Sequence, residues 1–428
     1  MPTKERPRRS HETSVNSEVR TEGHPRQAVF RPNEKASRRS PDIGLGMLGA
    51  DLERLHSLTG VKWTNDPDRD VIPSWVADMD FEVAPVITTA MQAVMDRGDT
   101  GYNFHARKQL VGAWGDWQER HFGWRPPEEE SMVFTATLNC LNLVMEFMTE
   151  PGDGVVVFTP IYHPFRAIIN DTGRRLVDVP LDGPGWRFDP ERFEAAIDPG
   201  TKLVLWCNPH NPLGRMFDAD EVAAFAEVCE RHDLLVISDE IWCDLTFQDG
   251  HIPLWRNHES LRNRIVTLGS ASKSFNVAGL RAAVAHIGDP RVRARFDKLG
   301  TAFIAGPNTL GAEASLAAWT QGQPWLDTIK SQLRINRDHL AKRVAADLPG
   351  VTMTLPEATY LAWIDFADSG LEGSPAEILL ERGKIAVHDG AKFCASAASC
   401  IRVNFATSPE ILDTVIDRMA HVLQEATR

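Results

Sequence analysis

The stretch Leu268-Gly-Ser270-Ala-Ser272-Lys273-Ser-Phe-Asn-Val-Ala-Gly279-Leu-Arg281 follows the apolar run Ile265-Val266-Thr267-Leu268. One lysine stands among small and hydroxyl residues, and an arginine comes eight positions later. An amine that condenses with an aldehyde needs neighbours small enough to admit a flat ring. Ser270, Ser272 and Arg281 carry donors suited to a phosphate dianion. Pyridoxal phosphate has both handles on one molecule. A lone Ser-x-Ser-Lys is more often an ordinary strand exit, so the reading depends on what surrounds it.

Outward from that stretch, short apolar strands alternate with helices. Met132-Val133-Phe134, Val155-Val156-Val157-Phe158, Lys202-Leu203-Val204-Leu205-Trp206 and Leu234-Leu235-Val236-Ile237-Ser238 read as strands. Residues 109–122, 137–148 and 219–232 read as helices. Near-continuous apolar strands separated by helices predict an α/β fold whose sheet is mostly parallel and covered on both faces. A ligand then sits at the carboxyl ends of the strands.

Other segments are organised around this body. Residues 1–44 are rich in Arg, Ser, Pro and Glu and read as a disordered tail. Leu52, Leu55 and Leu58 mark a short amphipathic helix, and residues 71–81 an extended segment. After Pro324 a long helix, residues 325–348, leads to the strand-like runs 360–365, 385–387 and 400–405 and a terminal helix from Pro409. The expected division is an arm at 45–90, a large domain at 91–324 and a small domain at 325–428.

The 428 residues carry a net charge of −13, which argues against nucleic acid as a partner. Six cysteines show no Cys-x-x-Cys pairing, so no metal site or disulfide framework is expected, and reduced cytoplasm is the simplest home. No apolar run approaches the roughly 18 residues of a membrane helix.

Several strand ends carry groups that suit one cofactor. Asp239 follows Ser238, where a carboxylate can hold a pyridine nitrogen protonated; alone it is an ordinary turn or cap. Asn211, in Cys207-Asn-Pro-His-Asn211-Pro212-Leu-Gly214, can donate to a phenolic oxygen, though Asn-Pro is also a plain turn. Thr135-Ala136-Thr137 opens a helix whose free N–H groups at Thr137 and Leu138 complete a phosphate site. Tyr162 follows another strand and can stack on a flat ring.

Together these lines resemble the fold-type I pyridoxal-phosphate enzymes of the class I/II aminotransferase superfamily, in particular the cystathionine β-lyase-like branch. Lys62-Trp63, Trp75-Val-Ala-Asp-Met-Asp-Phe81, Asn208-Pro-His-Asn-Pro212, Ser238-Asp-Glu-Ile241 with Asp244-Leu245, Ser270 to Leu280, Thr359-Tyr-Leu-Ala-Trp363 and Arg402-Val-Asn-Phe405 carry the resemblance. It implies a large domain with a mostly parallel sheet and a smaller α/β domain built from the N- and C-terminal segments. Lys273 would trap the cofactor aldehyde and move the substrate proton, with Asp239 on the ring nitrogen and Asn211 on the phenolic oxygen. Ser270, Ser272 and Arg281 would hold the phosphate. Tyr102 would join them from a second subunit of a homodimer, and Arg402 would bind the substrate carboxylate.

Three positions depart from that branch. Trp242 stands where a histidine is expected, Leu213 replaces a small or hydroxyl residue, and residues 392–400 lack the usual glycines. An altered substrate pocket is expected. The implied reaction is β-elimination of an S-substituted L-cysteine to thiol, pyruvate and ammonia. Transamination and decarboxylation-coupled deamination of an S-cysteinyl conjugate use the same residues. A non-catalytic binding protein is disfavoured by Lys273, Asp239 and Arg402, and a nicotinamide enzyme by the absence of G-x-G-x-x-G after the first strands.

Overall fold

Strand Ile72–Pro73 (β1) is the first of thirteen in the computed structural model, which describes residues 50–426 except 184, 249, 301 and 302. The expected tail at 1–44 lies outside the described residues. The strands that follow are Ser131–Phe134 (β2), Gly154–Thr159 (β3), Arg175–Pro180 (β4), Thr201–Cys207 (β5), Leu235–Asp239 (β6), Ile265–Gly269 (β7) and Ala283–Ile287 (β8). These seven form one sheet in the order β2-β8-β7-β6-β5-β3-β4.

The pairs β4/β3, β3/β5, β5/β6 and β6/β7 are parallel. Strand β8 runs antiparallel to both its neighbours. The sheet is therefore mostly parallel, as the apolar runs predict. Two strands escape the sequence reading. β4 alternates buried and exposed residues at the sheet edge, and β8, Ala-Val-Ala-His-Ile, is too small in side chains to stand out although fully buried.

Alternation along each strand divides the core between two layers. Val155, Val157, Leu203, Leu205, Ile237 and Val266 pack with Cys140, Leu141, Val144 and Met145 of the helix Thr137–Met148. Val156, Phe158, Val204, Trp206 and Val236 pack on the other face with Val222 and Phe225 of the helix Ala219–Arg231. That helix opens with a reciprocal capping box between Asp218 and Glu221, which the sequence Asp-x-x-Glu encodes. Each fully buried Val, Leu or Phe contributes about 1.5–3 kcal/mol, so both faces of the sheet are held firmly.

The remaining strands are Thr352–Met353 (β9), Leu361–Asp365 (β10), Ile385–Ala386 (β11), His388–Asp389 (β12) and Cys400–Asn404 (β13). β12, β13, β10 and β9 form an antiparallel sheet, and β11 pairs in parallel with β1. The run expected at 385–387 is a strand at 385–386, and a second short strand, β12, follows beyond it at 388–389. The long helix is Gln323–Asp347 and the last is Pro409–Ala426.

The expected extended segment at 71–81 is a strand only at β1, because side chains take its backbone groups. Asn276 accepts from Met79 N at 2.9 Å and donates to Met79 O and Phe81 O. Asn404 donates to Val76 O and Asp78 O, and Arg402 to Trp75 O. Lys62 is buried against Asp80 at 2.9 Å, with Trp63 Nε1 donating to the same carboxylate. The segment is thereby tied both to the Lys273 stretch and to β13.

Candidate active site

Five strand ends meet in one cleft. Thr135 and Ala136 follow β2, Tyr162 lies beyond β3, Cys207 ends β5, Asp239 ends β6, and Ser270 follows β7. Parallel strands carry their carboxyl ends to one edge, so residues far apart in the chain converge there. Gly269 permits the close approach on which this rests: a Cβ there would stand 2.5 Å from Trp114 Nε1.

Lys273 occupies the middle. Its Nζ donates to Ala77 O at 2.8 Å, stands 4.0 Å from an Asp78 carboxylate oxygen, and lies 5.8 Å from the Trp242 ring centre. Burial lowers the amine's pKa, and Asp78 partly opposes this. The Tyr360 hydroxyl donates to the same Ala77 carbonyl at 2.8 Å. A lysine with its amine weakened by desolvation and turned into a cleft is a nucleophile and a base.

Asp239 is 6% exposed and accepts one backbone donor, Ile241 N, at 3.2 Å. Burial pushes its carboxyl up to about 7. Such a group accepts a cationic N–H donor readily.

At one end lie the candidate phosphate ligands. Ser270 Oγ and Ser272 Oγ are 2.6 Å apart, and Ser272 N donates to Ser270 Oγ. The helix Thr137–Met148 begins at Ala136 with no side-chain cap, so the first N–H groups, at Thr137 and Leu138, face the cleft that both residues line. Arg281 also lines it, from a left-handed backbone position at φ 56°, and makes no ion pair among the described residues.

At the other end Arg402 is buried, 1% exposed. It donates to Asn211 Oδ1 at 2.9 Å, to Trp75 O at 2.9 Å and to His388 Nδ1 at 2.6 Å. All three partners are neutral, and its Nε is buried without one. Burial brings its pKa down to about 10. The Phe393 ring lies 4.9 Å beneath the guanidinium. Because Asn211 spends its oxygen on Arg402, its amide N–H2 is left for the cleft. Burial raises the pKa of the Tyr162 hydroxyl.

The structure thus brings together Lys273, Asp239, Asn211, Tyr162, Ser270, Ser272, Arg281, Thr137, Leu138, Trp242 and, through Asn211, Arg402. Tyr102 is not among them. It is 97% exposed, stacked on Phe104, in an adjacent cavity that shares only Thr135 and Arg281 with the cleft. Leu213 also stays out of the cleft, packed in the core with Trp363, Phe393 and Cys400.

The aminotransferase class I and II family profile matches residues 78–419. The chain belongs to that family. It is 32% identical over 373 residues to a cystathionine β-lyase of Corynebacterium glutamicum, covering 87% of this chain and 99% of the relative. It is 34% identical over 376 residues to cystathionine β-lyase PatB of Bacillus subtilis, covering 85% and 96%. Its fold matches the crystal structure of cystalysin from Treponema denticola, which contains pyridoxal 5′-phosphate, with a TM-score of 0.81 and 27% identity over 86% and 96% of the two chains.

Within this class I and II aminotransferase-family cleft, the sequence motifs left four contributors unassigned. Asp78 and Tyr360 fall inside motifs quoted above and act on Lys273 or its carbonyl partner. His163 and His388 surround Arg402, with ring centres 5.4 Å apart. His163 follows Tyr162 directly, the one signal that placed it nearby. His388 had no signal, because a histidine on a two-residue strand looks like any edge residue.

Proposed function

We propose that this chain is a pyridoxal-phosphate-dependent carbon–sulfur β-lyase that cleaves an S-substituted L-cysteine to thiol, pyruvate and ammonia. The observation that carries the reading is the set of three groups: buried Arg402 without an acidic partner, half-buried Lys273 with its amine weakened by desolvation, and buried Asp239 with its proton held toward neutral pH.

The residues fit the cofactor at three points. Arg281, Ser270, Ser272 and the uncapped helix start at Thr137 and Leu138 suit its phosphate. Asp239 suits its ring nitrogen, and Asn211 its phenolic oxygen. Tyr162 and Trp242, which line the same cleft, would border its ring. When bound, the cofactor supplies an aldehyde that condenses with amines and a ring that accepts electron density from the substrate α-carbon.

The chain does the rest. Arg402 grips the α-carboxylate through two donors and orients the Cα–H bond toward Lys273. Lys273 Nζ, with its amine turned into the cleft, takes the α-proton. The Cβ–S bonding pair leaves with sulfur as thiolate, and water completes release of pyruvate and ammonia. Trp242 can donate one hydrogen bond but moves no proton, so Lys273 handles the proton alone.

Tyr102, exposed beside the shared Arg281, supports a homodimer in which it reaches the partner's cleft. We assign the cofactor-holding domain to residues 91–324, which contain the seven-stranded sheet, and the smaller domain to 45–90 and 325–428. Six free cysteines support a reducing, cytoplasmic home, and among the described residues no helix is long and apolar enough to cross a membrane.

The test is to incubate the loaded enzyme with S-alkyl cysteines, with and without a keto-acid acceptor, and assay thiol, pyruvate, ammonia and carbon dioxide. Thiol with equimolar pyruvate, independent of acceptor, establishes the lyase. Acceptor-dependent amine transfer overturns it in favour of an aminotransferase, and carbon dioxide with retained sulfur in favour of decarboxylation.

A further inference from the structure

The strand that presents Asp239 to the cleft carries a second carboxylate immediately after it. Ser238 points away from Asp239 on β6, and its hydroxyl donates to Glu240 Oε1 at 2.8 Å. Leu254 N donates to the same oxygen at 3.2 Å, and His251 Nε2 to Oε2 at 2.8 Å. Ser238, Glu240 and His251 are all buried, at 0%, 3% and 4% exposure. None of them lines the cleft.

Glu240 accepts from all three partners, which an ionised carboxylate does and a carboxylic acid does less well. His251 Nδ1 is buried with no partner, leaving Nε2 as the ring atom that meets Glu240. The ring stands edge-on to Phe122 at 5.4 Å. Among the described residues no Lys or Arg pairs with Glu240. Its carboxylate is met by the Ser238 hydroxyl, the Leu254 N–H and His251, Asp239 directly precedes it in the chain, and Cys243 N donates to its carbonyl.

A negative charge kept in a dry site without a counter-ion is costly unless something nearby uses it. We propose that Glu240, held by Ser238 and His251, is a positioning residue whose charge acts through Asp239 to keep a cationic ring nitrogen bound in the cleft. Burial is the largest influence raising the proton affinity of Asp239; Glu240 adds to it, while the Ile241 N–H and Lys273 oppose it. The arrangement places two carboxylates behind one site for a protonated nitrogen. A bound pyridine ring retains its proton, and hence its capacity to accept electrons, over a wider pH range.

A brace that merely pins the Leu254 loop to β6 would affect stability alone, so the test reads charge. In the full-length, cofactor-free protein, the 13C carboxyl signal of Asp239 is titrated in the wild type, Glu240→Gln and Glu240→Asp. Glu240→Gln should lower the midpoint by about one unit, and Glu240→Asp should restore most of it. His251→Phe removes a donor that stabilises the Glu240 charge and should shift the midpoint in the same direction, which covers failure of Glu240→Gln to fold. In protein loaded with 15N-enriched pyridoxal phosphate, the ring-nitrogen signal should move toward the unprotonated position in Glu240→Gln. An Asp239 midpoint unchanged in both Glu240→Gln and His251→Phe overturns the proposal, whatever happens to the melting temperature. The loaded measurement rests on the cofactor reading, and failure to take up the cofactor sinks that reading alone, since the Asp239 titration decides this one independently.

Discussion

Arg402 donates through Nη2 to Nδ1 of His388 at 2.6 Å, a bond between a buried cation and a ring that must stay neutral to accept it. Burial, then Arg402, His163 and Lys392, push the pKa of His388 down to about 2. The imidazole therefore acts as a fixed acceptor that sets the plane of the guanidinium. His388→Leu leaves that donor unpaired. KM for an S-alkyl cysteine should rise roughly tenfold, equivalent to about 1.4 kcal/mol, while kcat changes less than threefold. Steady-state kinetics separate the two, and a fall in kcat with unchanged KM would refute the assignment.

Lys273→Ala removes the amine on which cofactor attachment and proton transfer both depend. The purified variant should lose the visible absorption band of the yellow protein and all turnover. Retention of that band, read by absorbance after dialysis, would remove Lys273 from its assigned role.

The carboxyl of Asp239 is raised to about 7 in the folded chain and titrates near the ordinary carboxylate value once unfolded. A raised acid contributes stability that is full below the unfolded value and is lost as pH rises through the folded one. In cofactor-free protein, the stability of wild type relative to Asp239→Asn should fall between about pH 4 and pH 7, by about 1.4 kcal/mol per unit. Urea denaturation of both proteins across that range measures the difference. Addition of pyridoxal phosphate should reverse the loss, because a protonated ring nitrogen pairs with the ionised carboxylate.

Asp244 holds the Lys273 stretch from behind. Its Oδ2 accepts from Ser274 Oγ at 2.5 Å and its Oδ1 from Trp117 Nε1 at 2.8 Å, all three residues being buried. Asp244→Ala strands both donors and should destabilise the protein by about 3 kcal/mol. Ser274→Ala should cost less, about 1 kcal/mol, but accelerate cofactor loss because it frees the residue next to Lys273. Denaturation and cofactor dissociation rates report the two effects separately.

If Tyr102 serves the partner's cleft, inactive Lys273→Ala and weakened Tyr102→Ala protomers should complement each other. A mixed dimer has one site with both residues intact. Unfolding and refolding the two together should recover more activity than either refolded alone, and no recovery would place Tyr102 outside the site.

Much of this was legible before folding. The apolar runs at β3, β5, β6 and β7 predict the parallel sheet because strands covered on both faces have no polar positions to alternate. Lys273, Asp239, Ser270, Ser272 and Asn211 were legible because each lies within a few residues of a strand end, and parallel topology sends every such end to the same edge. The sequence by itself thus determined the parallel strands β3, β5, β6 and β7, the small and hydroxyl residues around Lys273, and the set of strand ends that converge with them.

Only the tertiary structure decided what stands around those groups. Nothing local shows that Arg402 is stripped of acidic partners and wedged between His388, Trp75 and Phe393, since Trp75 comes from a segment more than three hundred residues away and His388 and Phe393 are turned toward it only by the folding of the small domain. The carboxylate behind Asp239 is met by a histidine eleven residues past Glu240, whose ring also stands edge-on to Phe122. The segment at 75–81 has the composition of a strand, yet Asn276, Asn404 and Arg402 take its backbone groups and make it a wall of the cleft. Propensity and periodicity report which backbone pairing a segment favours. Desolvation and charge pairing belong to the assembled site, and they set how its groups hold protons.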